Sequence, residues 1–167
     1  VKQLLDSFKL GNVIKHGVNV AIIGKPNAGK STLLNALLNE NRAIVSEIAG
    51  TTRDTIEELL NIDGILFRLI DTAGIRQSVD AIEIIGVEKS LEKMKTADIV
   101  VYLFDVTTDT EEELSKVEDW LKETTRQYML AGNKADLLRD AEKDLLLQKH
   151  VGMVLMEAKR GWHIERL

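Results

Sequence analysis

GKPNAGKSTLLN, residues 24–35, follows an apolar run (Val18–Ile23) and leads into a leucine-rich helical pattern. Its glycine, four intervening residues and then Gly29-Lys30-Ser31 form the spacing that gathers backbone N–H groups around a phosphate chain. Gly24 and Gly29 supply backbone conformations and close approach that a side chain would block. Lys30 is placed to reach the β and γ phosphates and Ser31 to offer a hydroxyl to Mg²⁺. The helix beginning near Lys30 turns its positive dipole end toward the anion. Asn27, Ala28, Gly29, Lys30, Ser31 and Thr32 are the nucleotide contacts expected here, with Lys30 also catalytic.

Outward from this loop, apolar strand-like runs at 18–23, 65–70, 99–104, 128–131 and 153–156 alternate with helical patterns at 30–39, 83–94, 111–122 and 140–149. That alternation predicts a layered α/β fold with a mainly parallel sheet. Asp63-Gly64 between the runs 55–62 and 65–70 is a tight hairpin signal, so one edge strand is expected to run antiparallel. Thr110 before three glutamates suits a helix start. Residues 1–16 carry a separate apolar helical pattern (Leu4, Leu5, Phe8) and read as a connector from a preceding domain. Residues 17–167 read as one nucleotide-binding domain that stops within a last amphipathic helix, as a fragment would.

With 167 residues and 44% apolar content, the chain can bury a core without staples. The 22 Lys and Arg against 27 Asp and Glu give a net charge of -5, which provides no global positive field for nucleic acid. No cysteine, signal peptide or run of membrane-spanning length is present, so a reducing cytoplasmic setting is expected, with no membrane. His16, His150 and His163 are scattered, which argues against a histidine metal site. Trp120 and Trp162 are expected to pack.

Base choice rests on Asn133-Lys134-Ala135-Asp136, directly after a strand-like run, where a parallel sheet opens its binding edge. The Asp136 carboxylate has only acceptors. It suits the N1–H and N2 amino donors of guanine and not adenine, so GTP or GDP is favoured over adenine nucleotides. Gly132 either lets the chain approach the ligand or serves a simple turn. Further on, Glu157-Ala158-Lys159 stands where GTPases usually carry Ser-Ala-Lys, and Ala158 and Lys159 are expected at the base; a lost hydroxyl at 157 could loosen that loop. Asp71 in Asp71-Thr72-Ala73-Gly74 ends the run 65–70 and would hold Mg²⁺ through its water shell, with the Gly74 N–H on the γ phosphate. In Gly50-Thr51-Thr52-Arg53-Asp54, Thr52 is the favoured Mg²⁺ ligand and Thr51 stays a candidate. Ile75 occupies the place of the water-orienting glutamine of Ras-type GTPases, a task an aliphatic side chain cannot perform.

Taken together, GKPNAGKSTLLN, SEIAGTTRDTIEE, DTAGIRQSVDAIEIIGVEKS and NKAD resemble the G domain of the MnmE (TrmE) family of tRNA-modifying GTPases. The phosphate loop and GTTRD are shared with the Der and Era GTPases, whereas DAIEIIGVEKS, residues 80–90, looks specifically like MnmE. The resemblance implies a three-layer, Ras-like P-loop fold with a mostly parallel six-stranded sheet and one antiparallel edge strand. It implies Glu83 as the water-orienting glutamate and Arg76 as a switch residue. It also implies K⁺ held by Asn27 with the backbone carbonyls of Ser46 and Ile48, neutralising charge as an arginine finger does. Pairing of G domains face to face, a helical domain before residue 17, and a partner flavoprotein of the MnmG type acting with it on the tRNA wobble uridine follow from the same resemblance. No direct nucleic-acid contact is expected from this fragment. Two rival readings are a ribosome-assembly switch GTPase of the Der or Era kind and a nucleotide-binding scaffold without turnover.

Overall fold

The computed structural model describes residues 17–39, 58–62, 64–70, 96–125 and 127–164. The connector at 1–16, the helical pattern at 83–94 and the last helix at the C-terminus lie outside the described residues. So do Ser46, Ile48, Thr51, Thr52, Asp71, Gly74, Ile75, Arg76 and Glu83.

The chain runs β1 (Val18–Ile23), α1 (Lys30–Asn39), β2 (Glu58–Ile62), β3 (Ile65–Ile70), β4 (Ile99–Asp105), α2 (Glu111–Thr124), β5 (Tyr128–Asn133), a 3₁₀ turn (Ala135–Leu137), α3 (Asp140–Lys149) and β6 (Val154–Leu155). These strands form one six-stranded sheet in the order β2-β3-β1-β4-β5-β6. All neighbours are parallel except β2 and β3, which pair antiparallel with Ile62 opposite Ile65. That closes the two-residue hairpin expected at Asp63-Gly64: Gly64 has φ +85 and its N–H donates to the Asn61 side chain at 3.0 Å. The parallel strands are near-continuous apolar runs because both faces are covered. On β4, Val101 and Leu103 join Leu33 and Leu34 of α1 on one face. Val100, Tyr102 and Phe104 point the other way, toward Leu114 and Leu121 of α2, with Leu146 of α3 packed against them. Three layers result.

Several ends differ from the sequence reading, each for a local reason. Strands β4 and β5 each run further, to Asp105 and Asn133, because the ladder between them continues as Phe104↔Gly132 and Asp105↔Asn133. β6 shrinks to two residues. Gly132 is not a turn residue. It lies inside β5, where a Cβ would stand 2.7 Å from Leu155 and 2.9 Å from Phe104 and Val106. Trp120 is half-buried against the α2 core, but Trp162 is 42% exposed, held over Lys143 with the ammonium 5.7 Å from the ring.

Helix α2 starts as its sequence suggests. The Thr110 hydroxyl accepts from the Glu113 N–H at 3.3 Å, while the Glu113 carboxylate accepts from the Thr110 N–H at 3.0 Å, a reciprocal cap. His150 ends α3 and docks it on α2: its Nδ1 lies 2.5 Å from Glu118 Oε2, and the ring is buried. Among the described residues, no helix is long and apolar enough to cross a membrane.

Candidate nucleotide site

The strand order reverses at β1, which is flanked by β3 and β4, and a parallel sheet offers its ligand crevice outside the carboxyl ends at such a point. The phosphate loop leaves β1 there. Gly24 has φ +153 and a Cβ would fall 2.0 Å from the Leu103 carbonyl oxygen, so only glycine lets β1 turn away this close to β4. Asn27 sits at φ +63, a left-handed conformation that asparagine tolerates better than most residues. Gly29 has φ +101, and a Cβ on it would meet the Asn133 amide nitrogen at 2.2 Å. The Lys30 ammonium curls back over the loop, donating to the carbonyls of Gly24 and Lys25 at 2.7 Å each. Burial pulls its pKa below that of an ordinary lysine, so a desolvated cation stands where phosphate charge would be received. Ser31 and Thr32 occupy the exposed first turn of α1.

The base-side loops meet this loop through one side chain. Asn133, at the end of β5 and only 4% exposed, donates to the Ala28 carbonyl at 2.9 Å and accepts from the Ala158 N–H at 3.0 Å. One carboxamide therefore joins the phosphate loop, the Asn133–Asp136 loop and the Glu157–Lys159 loop. Ala28 and Ala158 are both 1% exposed, which leaves no room for a larger residue. The Ala135 N–H bonds the Met156 carbonyl at 3.1 Å and the Met156 N–H bonds that of Gly132 at 2.8 Å, fastening the two base loops side by side. Asp136 and Lys159 stay exposed, with the Asp136 carboxylate open to a ligand's donors.

Glu157 does not leave its loop slack. Its backbone pairs with Trp162 in both directions, at 3.0 and 3.1 Å, and its carboxylate lies 3.3 Å from the Arg160 guanidinium.

Four charged residues that the sequence reading did not assign to the site surround it. Asp105, the last residue of β4, pairs with the Lys134 ammonium, and it accepts from the Thr107 N–H at 2.9 Å and hydroxyl at 2.6 Å. Burial works against its charge, yet the bonds from Lys134 and Thr107 prevail and keep the carboxyl below the usual range. Lys25 reaches Asp109 at 2.6 Å and Glu113 at 2.9 Å. Those contacts, with Asp109 first, hold the ammonium protonated well above the ordinary lysine range. Glu113 falls to about 2 because the Thr110 N–H and then Lys25 favour its charged form. Asp105 carried a usable signal: a carboxylate closing the unbroken apolar run VVYLF at the binding edge of the sheet. Lys25 and Asp109 carried none, and the sequence marked Glu113 only as part of a helix start.

The structure thus brings together Asn27, Ala28, Gly29, Lys30, Asn133, Lys134, Asp136, Ala158 and Lys159 at one sheet edge. A family model described as "50S ribosome-binding GTPase" matches residues 19–134, more than half of the chain. The chain is 52% identical over 168 residues to tRNA modification GTPase MnmE of Cytophaga hutchinsonii, and 49% identical over 175 residues to that of Flavobacterium johnsoniae. All of the chain is covered in each match, but it spans only 36% and 38% of those relatives' own lengths. Among solved structures, Era in complex with MgGDPNP and nucleotides 1506–1542 of 16S ribosomal RNA is similar, with TM-score 0.62 and 27% identity. That match covers 89% of this chain and 53% of the other. A P-loop fold, a guanine nucleotide as ligand and a GTPase domain follow from these matches, and the chain belongs to the 50S ribosome-binding GTPase family.

Proposed function

We propose that residues 17–167 form a G domain that binds and hydrolyses GTP, as the nucleotide-driven part of a tRNA wobble-uridine modification enzyme. The observation that carries the reading is the Asn133 carboxamide. By holding Ala28 and Ala158 at once, it makes the phosphate loop and the base loops a single preformed cup. In that cup Asp136 accepts from the N1–H and N2 amino groups of guanine. Lys30 leaves the Gly24 and Lys25 carbonyls for the β and γ phosphates, and Ala158 and Lys159 line the base. Ser31, Thr52 (or Thr51) and Asp71 would hold Mg²⁺, which neutralises phosphate charge when bound; the Gly74 N–H would contact the γ phosphate. The two loop glycines, at which any Cβ would collide, suit a phosphate chain drawn against the backbone.

Glu83 would orient the attacking water in place of the absent glutamine, with Arg76 a further catalytic candidate from the switch. Asn27, raised into a left-handed conformation in the phosphate loop, would hold K⁺ together with the carbonyls of Ser46 and Ile48. Two G domains would then pair through their nucleotide faces. In a longer protein, residues 1–16 would connect from a helical domain, and a flavoprotein of the MnmG type and tRNA would be the partners, in the cytoplasm.

GTP turnover by the purified chain in KCl against NaCl at equal ionic strength, at low and high protein concentration, tests this. Faster turnover in KCl, rising per molecule with concentration, is expected. Equal slow rates in both salts would remove the Asn27 cation role and leave a simple switch GTPase.

A further inference from the structure

Asp105 uses every contact it makes on the protein itself, and those contacts run between the two halves of the site. One carboxylate oxygen holds the Lys134 ammonium. The other is fixed by the backbone and hydroxyl of Thr107. The Asp105 N–H donates to Asp109 Oδ2 at 3.0 Å, and the other oxygen of Asp109 holds Lys25 of the phosphate loop at 2.6 Å. Both carboxylates are nearly dry, with side chains 8% and 5% exposed, so neither is free to exchange its partners for water without cost. Lys134, by contrast, is 41% exposed and stands on a left-handed residue at the mouth of the site. A long lysine so placed would sample many rotamers in solvent if its ammonium were released, and that freedom would have to be surrendered each time a ligand bound.

We propose that Asp105 is a positioning residue for guanine-nucleotide binding. Its carboxylate holds the Lys134 side chain in its ligand-ready place. This rests on the reading of the site given above. Asp105 touches no ligand atom in this scheme, because its oxygens are already taken, and its effect passes through Lys134.

A double-mutant cycle measures this. The dissociation constant for GDP is determined calorimetrically for the chain itself, for Asp105→Asn, for Lys134→Met and for the two combined. Each single substitution is expected to weaken GDP binding about ten-fold. The combined variant should be no weaker than Lys134→Met alone, within about two-fold, because the carboxylate then has nothing to position. Equal weakening by Asp105→Asn in both backgrounds would mean that the carboxylate merely supports the fold, and would overturn the proposal. No weakening by Asp105→Asn alone would also overturn it. A Lys134→Met variant that binds GDP as the unaltered chain does would instead show that Lys134 is not part of the nucleotide site, a failure of the underlying reading. If Asp105→Asn does not fold, Asp105→Glu keeps the charge while displacing the carboxylate by one methylene, and the same pattern is expected of it.

Discussion

Replacing Asn133 by Asp changes one atom and should convert a pH-indifferent clamp into a titrating one. The amide nitrogen now donates to the Ala28 carbonyl at 2.9 Å in a site 4% exposed, while the amide oxygen accepts from the Ala158 N–H at 3.0 Å. In Asn133→Asp the second bond survives. The first survives only if the new carboxyl is protonated, because an ionised oxygen would face the carbonyl oxygen with no hydrogen between them. Burial and that repulsion both disfavour the charged form, so the folded-state pKa should rise above the unfolded value of about 3.9. A rise of about 2 pH units corresponds to about 2.7 kcal/mol, at 1.36 kcal/mol per unit. The sign follows: a raised folded pKa leaves stability intact below the unfolded pKa and removes it as pH climbs toward the folded one. The gap between Asn133→Asp and the unaltered chain should therefore be small at about pH 4, grow to about 2.4 kcal/mol by about pH 6, and level off at about 2.7 kcal/mol from about pH 7. Urea unfolding at a series of pH values reads this directly, with Asn133→Ala as a comparison whose deficit does not vary with pH. A constant deficit for Asn133→Asp across that range would refute the buried donor bond to Ala28 and, with it, the coupling of the two loops.

Other consequences are simpler. Gly29→Ala would combine a φ of +101 with a Cβ 2.2 Å from the Asn133 amide. A loss of at least about 2 kcal/mol is expected, or about 4–8 °C in melting temperature, together with weaker GDP binding; an unchanged melting curve would contradict the close contact. Leu121→Ala, at a wholly buried α2 position, should cost about 2–5 kcal/mol in chemical unfolding, whereas Leu145→Ala, 53% exposed on α3, should change stability by less than about 0.5. Despite its burial, Glu118 is held below the ordinary carboxylate range by His150, Lys122 and Tyr128. A lowered folded pKa adds stability that is present above the unfolded value of about 4.3 and fades as pH falls below it. Glu118→Gln should therefore flatten acid unfolding on that side, and an unchanged acid profile would count against these bonds.

The phosphate loop, the hairpin at Asp63-Gly64 and the capped start of α2 were legible because each is a local matter. Glycine spacing, a turn dipeptide and a hydroxyl three residues before a glutamate act on backbone a few residues away. The strand runs were legible for the same reason, though their ends were not, since the ladder from β4 to β5 carries both strands past the apolar residues to Asp105 and Asn133. Nothing local to Asn133 says that its carboxamide will bond residues 105 positions before it and 25 after it. Nor does Lys25 announce a partner at Asp109, or Lys134 one at Asp105. Residue type and spacing, then, determined by themselves that this chain folds as layered α/β and cradles a nucleotide's phosphates. Only the strand order β3-β1-β4-β5-β6 decided which side chains meet around it, because parallel pairing aligns the carboxyl ends of strands far apart in the chain and leaves their buried polar groups only one another as partners.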